Sequence, residues 1–319
     1  MSDAKGMDII MKNKIAVIVA LLVTLSCQIV FADIAVVTRS PSLNVRSTAS
    51  SSASIIGSLP KNSKVKTLGT SNVFYKINYN GKIGYVESSY TKIVTKVQKI
   101  PVLMYHKLTT ISAKQDGLVV LQSSFRSQMN YLKTHGYNTI SLDQFYDNLS
   151  NGTALPNKPV LITFDDGYVN NYTLAYPILK ANKQKATVFM ISKDIDTNPG
   201  SMTSKQLKEM DANGFRVENH TNKHENLPTL SYTNQLATIT KTKQVLEKLL
   251  GRKVVYLAYP YGAYNSNTIK AAKVAGCKLG ITTDAGLTSN EDKPYEINRI
   301  FMGPLDNLTT LAHKLKYGE

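Results

Sequence analysis

Tryptophan is absent from this chain of 319 residues, and cysteine occurs only at positions 27 and 277. Cys27 sits inside an apolar N-terminal stretch, so Cys277 stands alone in the rest of the chain and no intramolecular disulfide can brace it. Acidic residues are also scarce: 22 against 38 Lys and Arg, a formal charge of +16. Such a surplus favours anionic partners, whether nucleic acid, anionic lipid or an acidic wall polymer. The lysines are scattered and gather into no stripe or helix face. Nucleic-acid binding therefore has only net charge in its favour, and the wall polymer fits better. Histidine is rare as well, at five, so two close together in sequence carry weight.

Lys12 and Lys14 precede the run IAVIVALLVTLSCQIVF, which leads to Val30-Phe31-Ala32. A charged segment, an apolar segment and a small terminal residue are the parts of a secretory signal peptide, expected to be cleaved after Ala32. The plainer alternative is an uncleaved anchor, since the run is near the lower limit for a membrane span. A secreted chain without disulfides suits the exterior of a bacterium. The expected setting is the wall of a Gram-positive cell, with no stable membrane association once residues 1–32 are removed.

Residues 33–94 read as a first domain and 95–99 as a linker. Short alternating segments (SLNVRS, SIIGSLP, KVKTLG, FYKINYN, KIGYVES) are separated by turn formers such as Asn80-Gly81. Several short strands at this spacing predict a small all-β barrel. The SLNVRS opening, the Phe74-Tyr75 pair and the closing GKIGYVESSY resemble bacterial SH3 domains. That resemblance implies peptidoglycan binding, against the bland alternative of a structural spacer.

From 100 to 319 the texture is α/β. Apolar runs at 101–105, 159–164, 186–190, 254–259 and 278–282 alternate with helical patterns near 124–135, 142–150, 204–213, 231–250 and 266–275. Continuous apolar runs between helices predict a parallel sheet covered on both faces, and roughly seven such units favour a closed or distorted barrel. Chemistry in a barrel of this kind sits where the strands end.

At one such end, LITFDDGYVN sets Asp165 and Asp166 side by side. In an extended strand they point to opposite faces and are poorly placed to hold one ion together. Gly167 lets the backbone turn, which suggests divided labour: one carboxylate on a metal, the other moving protons. Helix capping is the ordinary alternative for an Asp pair, but it leaves the second carboxylate unexplained. In VENHTNKHENL, His220 and His224 are four apart, near enough to share one side of a helical turn or tight loop. Two histidines and one carboxylate make a three-ligand site with open positions, as catalytic zinc requires; non-haem iron would also fit.

TFDDG (163–167), NHTNKH (219–224) and YPYG (259–262) resemble the first three motifs of the carbohydrate esterase family 4, or NodB-type, polysaccharide deacetylases, over residues 100–316. The resemblance implies a distorted (β/α)7 barrel, with Asp165 as general base and Asp166, His220 and His224 as ligands of a divalent metal. Zinc is the default, with cobalt or nickel also suitable. The implied reaction is hydrolysis of an N-acetyl group on an N-acetylglucosamine-type residue of peptidoglycan or a related polymer. The Tyr261 backbone N–H would hold the oxyanion, and Pro260, Tyr261 and Gly262 would meet the substrate.

The pattern departs from that family at its later motifs. The arginine two residues before the PYG proline is replaced by Ala258, and Arg299 in EINRI is the candidate substitute. The absence of tryptophan removes the fourth motif and leaves Asp284 as a loose remnant. Leu311-Ala312-His313 matches the fifth motif in form, but it lies in a predicted amphipathic terminal helix. His106, which ends the apolar strand IPVLMYH, is the better candidate for the catalytic acid. The PVLMYH opening together with YLAYPYG resembles the subgroup that includes poly-N-acetylglucosamine deacetylases. His135 reads as a helix-end cap. Competing readings are an O-deacetylase of a polysaccharide such as xylan and a non-catalytic wall-binding protein. The intact Asp165, Asp166, His220 and His224 favour an enzyme, and the SH3-like module favours a bacterial polymer.

Overall fold

The computed structural model describes residues 34–94, 98–111, 116–151, 153, 155–289 and 292–319. The expected signal peptide and the greater part of the 95–99 linker lie outside the described residues.

Over 34–94 the chain forms β1 (Ile34–Val37), β2 (Ser42–Arg46), β3 (Ile55–Pro60), β4 (Lys64–Ser71), β5 (Phe74–Tyr79), β6 (Lys82–Glu87) and β7 (Thr91–Val94). They pair antiparallel in the order β3-β2-β6-β5-β4-β1-β7. Asn80 and Gly81, at φ 51° and 80°, make the two-residue turn that sets Tyr79 opposite Lys82. Asn and Gly suit it because both tolerate left-handed backbone. Alternation in β2 sends Leu43 and Val45 inward, where they pack with Val37, Ile77 and Val86 into a small core.

The remaining strands are β8 (Val102–Tyr105), β9 (Lys107–Thr109), β10 (Val119–Leu121), β11 (Asn138–Thr139), β12 (Pro159–Phe164), β13 (Thr187–Met190), β14 (Arg216–Asn219), β15 (Tyr256–Ala258), β16 (Leu279–Ala285) and β17 (Ile297–Phe301). The α-helices are α1 (Gln122–Thr134), α2 (Leu142–Asn151), α3 (Tyr176–Asn182), α4 (Ser204–Ala212), α5 (Tyr232–Leu250), α6 (Ser266–Val274) and α7 (Leu308–Tyr317). β8 pairs in parallel with β12, the parallel ladder runs on through β13, β14, β15, β16 and β17, and β17 returns to β8. The result is a closed parallel seven-stranded barrel. Among the described residues no helix is long and apolar enough to cross a membrane.

β8, β12 and β13 are buried at every position, which is why they read as unbroken apolar runs. Their side chains alternate between two cores. Leu103, Ile162, Phe164 and Val188 pack with helix residues such as Phe125 and Leu246. Val102, Leu161, Phe189, Ile281 and Ile297 form the second cluster and fill the barrel. In phase with this second set, farther along the same strands and just past them, come Met104, Asp165, Thr283, Arg299 and Phe301. The two-residue period of the strand thus delivers the polar groups to the barrel mouth.

β14 and β17 contain no apolar run. RVEN and INRIF place Glu218 and Arg299 inside, both fully buried, so hydrophobicity alone passes over them. His135 caps the C-terminus of α1, with its ring stacked on Tyr131 at 3.7 Å.

Candidate active site

Beyond Phe164 the chain turns sharply, with Asp166 at φ 68° and Gly167 at φ 75°. A Cβ on Gly167 would lie 2.0 Å from Met190 Sδ, so a larger residue would push into β13. Asp165 continues the barrel-facing phase of β12, and the turn carries Asp166 to the end of β14. The backbone turn separates the two carboxylates.

Asp165 is 2% exposed, and two nitrogens of Arg299 grip its carboxylate at 2.7 and 2.6 Å. Arg299 is itself fully buried; its Nε donates to the Thr282 carbonyl at 2.7 Å and Nη1 reaches Thr163 Oγ1 at 3.3 Å. Burial alone raises the pKa of Asp165, but the guanidinium more than reverses this and holds the carboxyl far below its ordinary range.

The loop after β14 carries both histidines. His220 Nδ1 is 2.9 Å from the Ala258 carbonyl oxygen. A carbonyl only accepts, so Nδ1 carries a proton, and Nε2 is the nitrogen whose lone pair the ring can offer to a cation. Nε2 of His220 and Nε2 of His224 each lie 3.3 Å from Asp166 Oδ1. One ligand atom from each of the three residues falls within 4.8 Å of the others. Asp166 Oδ1 is buried and has no hydrogen-bond partner. A buried carboxylate oxygen aimed between two imidazole nitrogens is what a divalent cation would satisfy. The donor set therefore fits a zinc-type ion with coordination positions left open. Burial lowers the pKa of His224; at His220 burial acts the same way, but the Asp166 carboxylate outweighs it and the net shift is upward.

His106 follows β8 directly, with Nε2 4.0 Å from Asp165 Oδ2. Burial lowers its pKa from 6.5, while the charges of Asp165 and Asp166 pull the other way. Tyr261 is 65% exposed, at φ 61°, and its ring meets that of His224 nearly edge-on at 4.4 Å. Met104, His106, Leu118, Tyr261, Thr283 and Phe301 join Asp165, Asp166, His220 and His224 around a cavity of about 370 Å³. Asp166, Thr221, His224 and Tyr261 all hold positive φ. Each such conformation costs on the order of 1–3 kcal/mol, and strain of this kind collects at functional sites.

Within YPYG only Tyr261 lines the cavity. Pro260 and Gly262 are buried and do not line it. His313 is exposed on α7 beside Tyr317 and takes no part in the cavity lining, because the helix turns that face to solvent. Asp284 is exposed as well. Sequence reasoning passes over Met104, Leu118, Thr283 and Phe301. The strand phase of Met104 and Phe301 could have flagged them; Leu118 comes from a loop, where no period applies.

The family description "Polysaccharide deacetylase" matches residues 152–280, and "Bacterial SH3 domain" matches residues 41–92. The chain is 35% identical over 209 residues to YxkH of Bacillus subtilis (strain 168), named as a polysaccharide deacetylase, covering 66% of this chain and 73% of that one. It is 31% identical over 196 residues to the poly-beta-1,6-N-acetyl-D-glucosamine N-deacetylase of Staphylococcus aureus (strain MSSA476), covering 57% of this chain and 67% of the relative. Among solved structures, Streptococcus pyogenes deacetylase PplD in complex with acetate superposes with a TM-score of 0.66 at 33% identity, over 69% of this chain and 100% of that one. With its barrel, its site geometry and these relatives, the chain belongs to the polysaccharide deacetylase family and carries a bacterial SH3 domain ahead of the barrel.

Proposed function

We propose that the chain is a metal-dependent N-deacetylase of an N-acetylglucosamine polymer at the bacterial surface, either peptidoglycan or an exopolysaccharide. One observation carries this reading: a single cavity holds Asp165, kept ionised by Arg299, next to the ligand set of Asp166, His220 and His224. The N-deacetylase activity named for the Staphylococcus aureus relative supports an amide substrate over an ester. The bacterial SH3 domain and the +16 charge support an exported, wall-associated setting.

A zinc-type ion held by Asp166, His220 and His224 would polarise the acetamide carbonyl and acidify water beside it. The chain's own groups account for the rest. Asp165, fixed by two bonds from Arg299, accepts a hydrogen bond from the attacking water and orients it. Because Arg299 suppresses its proton affinity, Asp165 is a poor resting place for the proton. His106 Nε2 lies 4.0 Å from Asp165 Oδ2, has the higher affinity and takes the proton on. Burial keeps the His106 ring neutral at rest, so it starts as an acceptor and, once charged, becomes the acid for the leaving sugar nitrogen. The carbon–nitrogen bond breaks, and acetate and a glucosamine-type amine leave. The Tyr261 backbone N–H is the proposed donor to the oxyanion.

The test is acetate release by the 33–319 fragment, with zinc or cobalt, from peptidoglycan and from N-acetylglucosamine oligomers. Asp165→Asn is expected to lose about 10²–10⁴-fold in rate while still binding cobalt. A metal-loaded protein that releases nothing from either polymer would turn the reading toward an O-acetylated substrate. A protein that neither binds metal nor releases acetate would be a wall-binding protein only.

A further inference from the structure

The buried face of α5 is largely polar: Gln235, Thr238 and Thr242 share it with Ile239 and Leu246. Gln235 bonds to Thr268 and to the Leu230 carbonyl. The two threonines, one helical turn apart, reach instead to the loop that carries His220 and His224. Thr238 Oγ1 accepts from the Asn222 N–H at 3.0 Å and donates to Glu225, whose two carboxylate oxygens lie 2.8 and 2.9 Å away. Glu225 also accepts from the Lys223 N–H at 3.1 Å. One hydroxyl thus ties the backbone on one side of His224 to the side chain on the other. Ser192 Oγ donates to Asn222 Oδ1 at 3.0 Å, so Thr242, whose Oγ1 is 2.8 Å from Ser192 Oγ, must donate to Ser192. The result is a directed chain of hydroxyls from helix to loop.

This loop needs holding. Thr221 and His224 sit at φ 63° and 57°, and a β-branched residue rarely adopts such a conformation. Apolar side chains at 238 and 242 would bury similar surface but leave the Asn222 N–H and the Ser192 hydroxyl short of partners.

We propose that Thr238 and Thr242 are positioning residues for the metal centre, fixing the 219–225 loop so that His220 and His224 converge on Asp166, and so setting metal affinity. This rests on the reading of those three residues as metal ligands. The experiment is cobalt titration of the full chain, read by its d–d absorption and by chelator competition, for wild type, Thr238→Val, Thr238→Ser and Glu225→Ala. Metal-free melting curves run alongside. Groups that orient metal ligands affect affinity by about 10–100-fold, so Thr238→Val and Glu225→Ala are expected to weaken cobalt binding by about 10-fold and to change the band shape. Thr238→Ser, which keeps the hydroxyl, is expected to restore both. Glu225 is partly exposed, so Glu225→Ala keeps the test decisive if Thr238→Val does not fold. Wild-type affinity and band in the folded variants would overturn the proposal. A wild type that binds no cobalt would overturn the metal-site reading itself, an outcome visible before any variant is compared.

Discussion

Arg299 and Asp165 are both almost fully buried, and Arg299 donates two short hydrogen bonds to the carboxylate. Removing one member leaves an uncompensated buried charge, so Arg299→Ala is expected to cost about 3–5 kcal/mol and to lower the melting temperature at pH 7. The pH dependence has a definite sign. With Arg299 present, the folded pKa of Asp165 is depressed, and its contribution is full above the unfolded value of about 3.9 and lost as pH falls toward the folded one. Without the arginine, desolvation is opposed only by the charges of His220 and His106, and protonation relieves what they leave. The gap in melting temperature between the variant and wild type should therefore narrow as pH falls below about 4. A gap that stays constant with pH would show that the two residues are not coupled as an ion pair. Cys277 gives a simpler check. Burial pushes its thiol up to about 12, so the 33–319 fragment should not react with a thiol reagent at pH 8 until it is unfolded.

The YPYG segment is an element whose backbone decides what its side chains can do. Tyr261 and Gly262 both hold left-handed φ, at 61° and 67°, and a Cβ on Gly262 would come within 2.8 Å of the Thr283 backbone nitrogen. Backbone cannot move aside as a flexible side chain can. Gly262→Ala is expected to destabilise the barrel by on the order of 1–3 kcal/mol and to reduce acetate release, because Tyr261 moves with its neighbour. Assays at a temperature where the variant is fully folded separate the two effects. Unchanged turnover there would mean that the Tyr261 N–H takes no part in the reaction. The loop after β14 is a second such element, with its histidine spacing turned into a cluster by α5.

At the scale of the whole molecule, charge and catalysis separate. The +16 surplus is spread over the chain, whereas the cavity is built from specific contacts. Surface electrostatics is screened within about 8 Å at physiological salt. Retention on sedimented peptidoglycan is therefore expected to fall steeply as sodium chloride rises, while turnover of short neutral oligomers changes little. Retention that ignores salt would assign wall binding to the SH3 domain's specific contacts instead of to net charge.

The division of the chain into a β-rich first part and an α/β second part was legible in the sequence, because strand and helix periods are local properties of neighbouring residues. So were the donor types and their spacing in TFDDG and NHTNKH, which the chain itself sets. What the sequence could not decide was which distant residues meet. Arg299 lies 134 positions from the carboxylate it grips, and only closure of β17 against β8 brings that side chain into the barrel beside Asp165. The parallel pairing of β12 with β8 brings His106 to Asp165, while His313 remains on the solvent face of a helix. Spacing along a chain carries no information about partners across a barrel; strand register does, and register exists only once the sheet has closed.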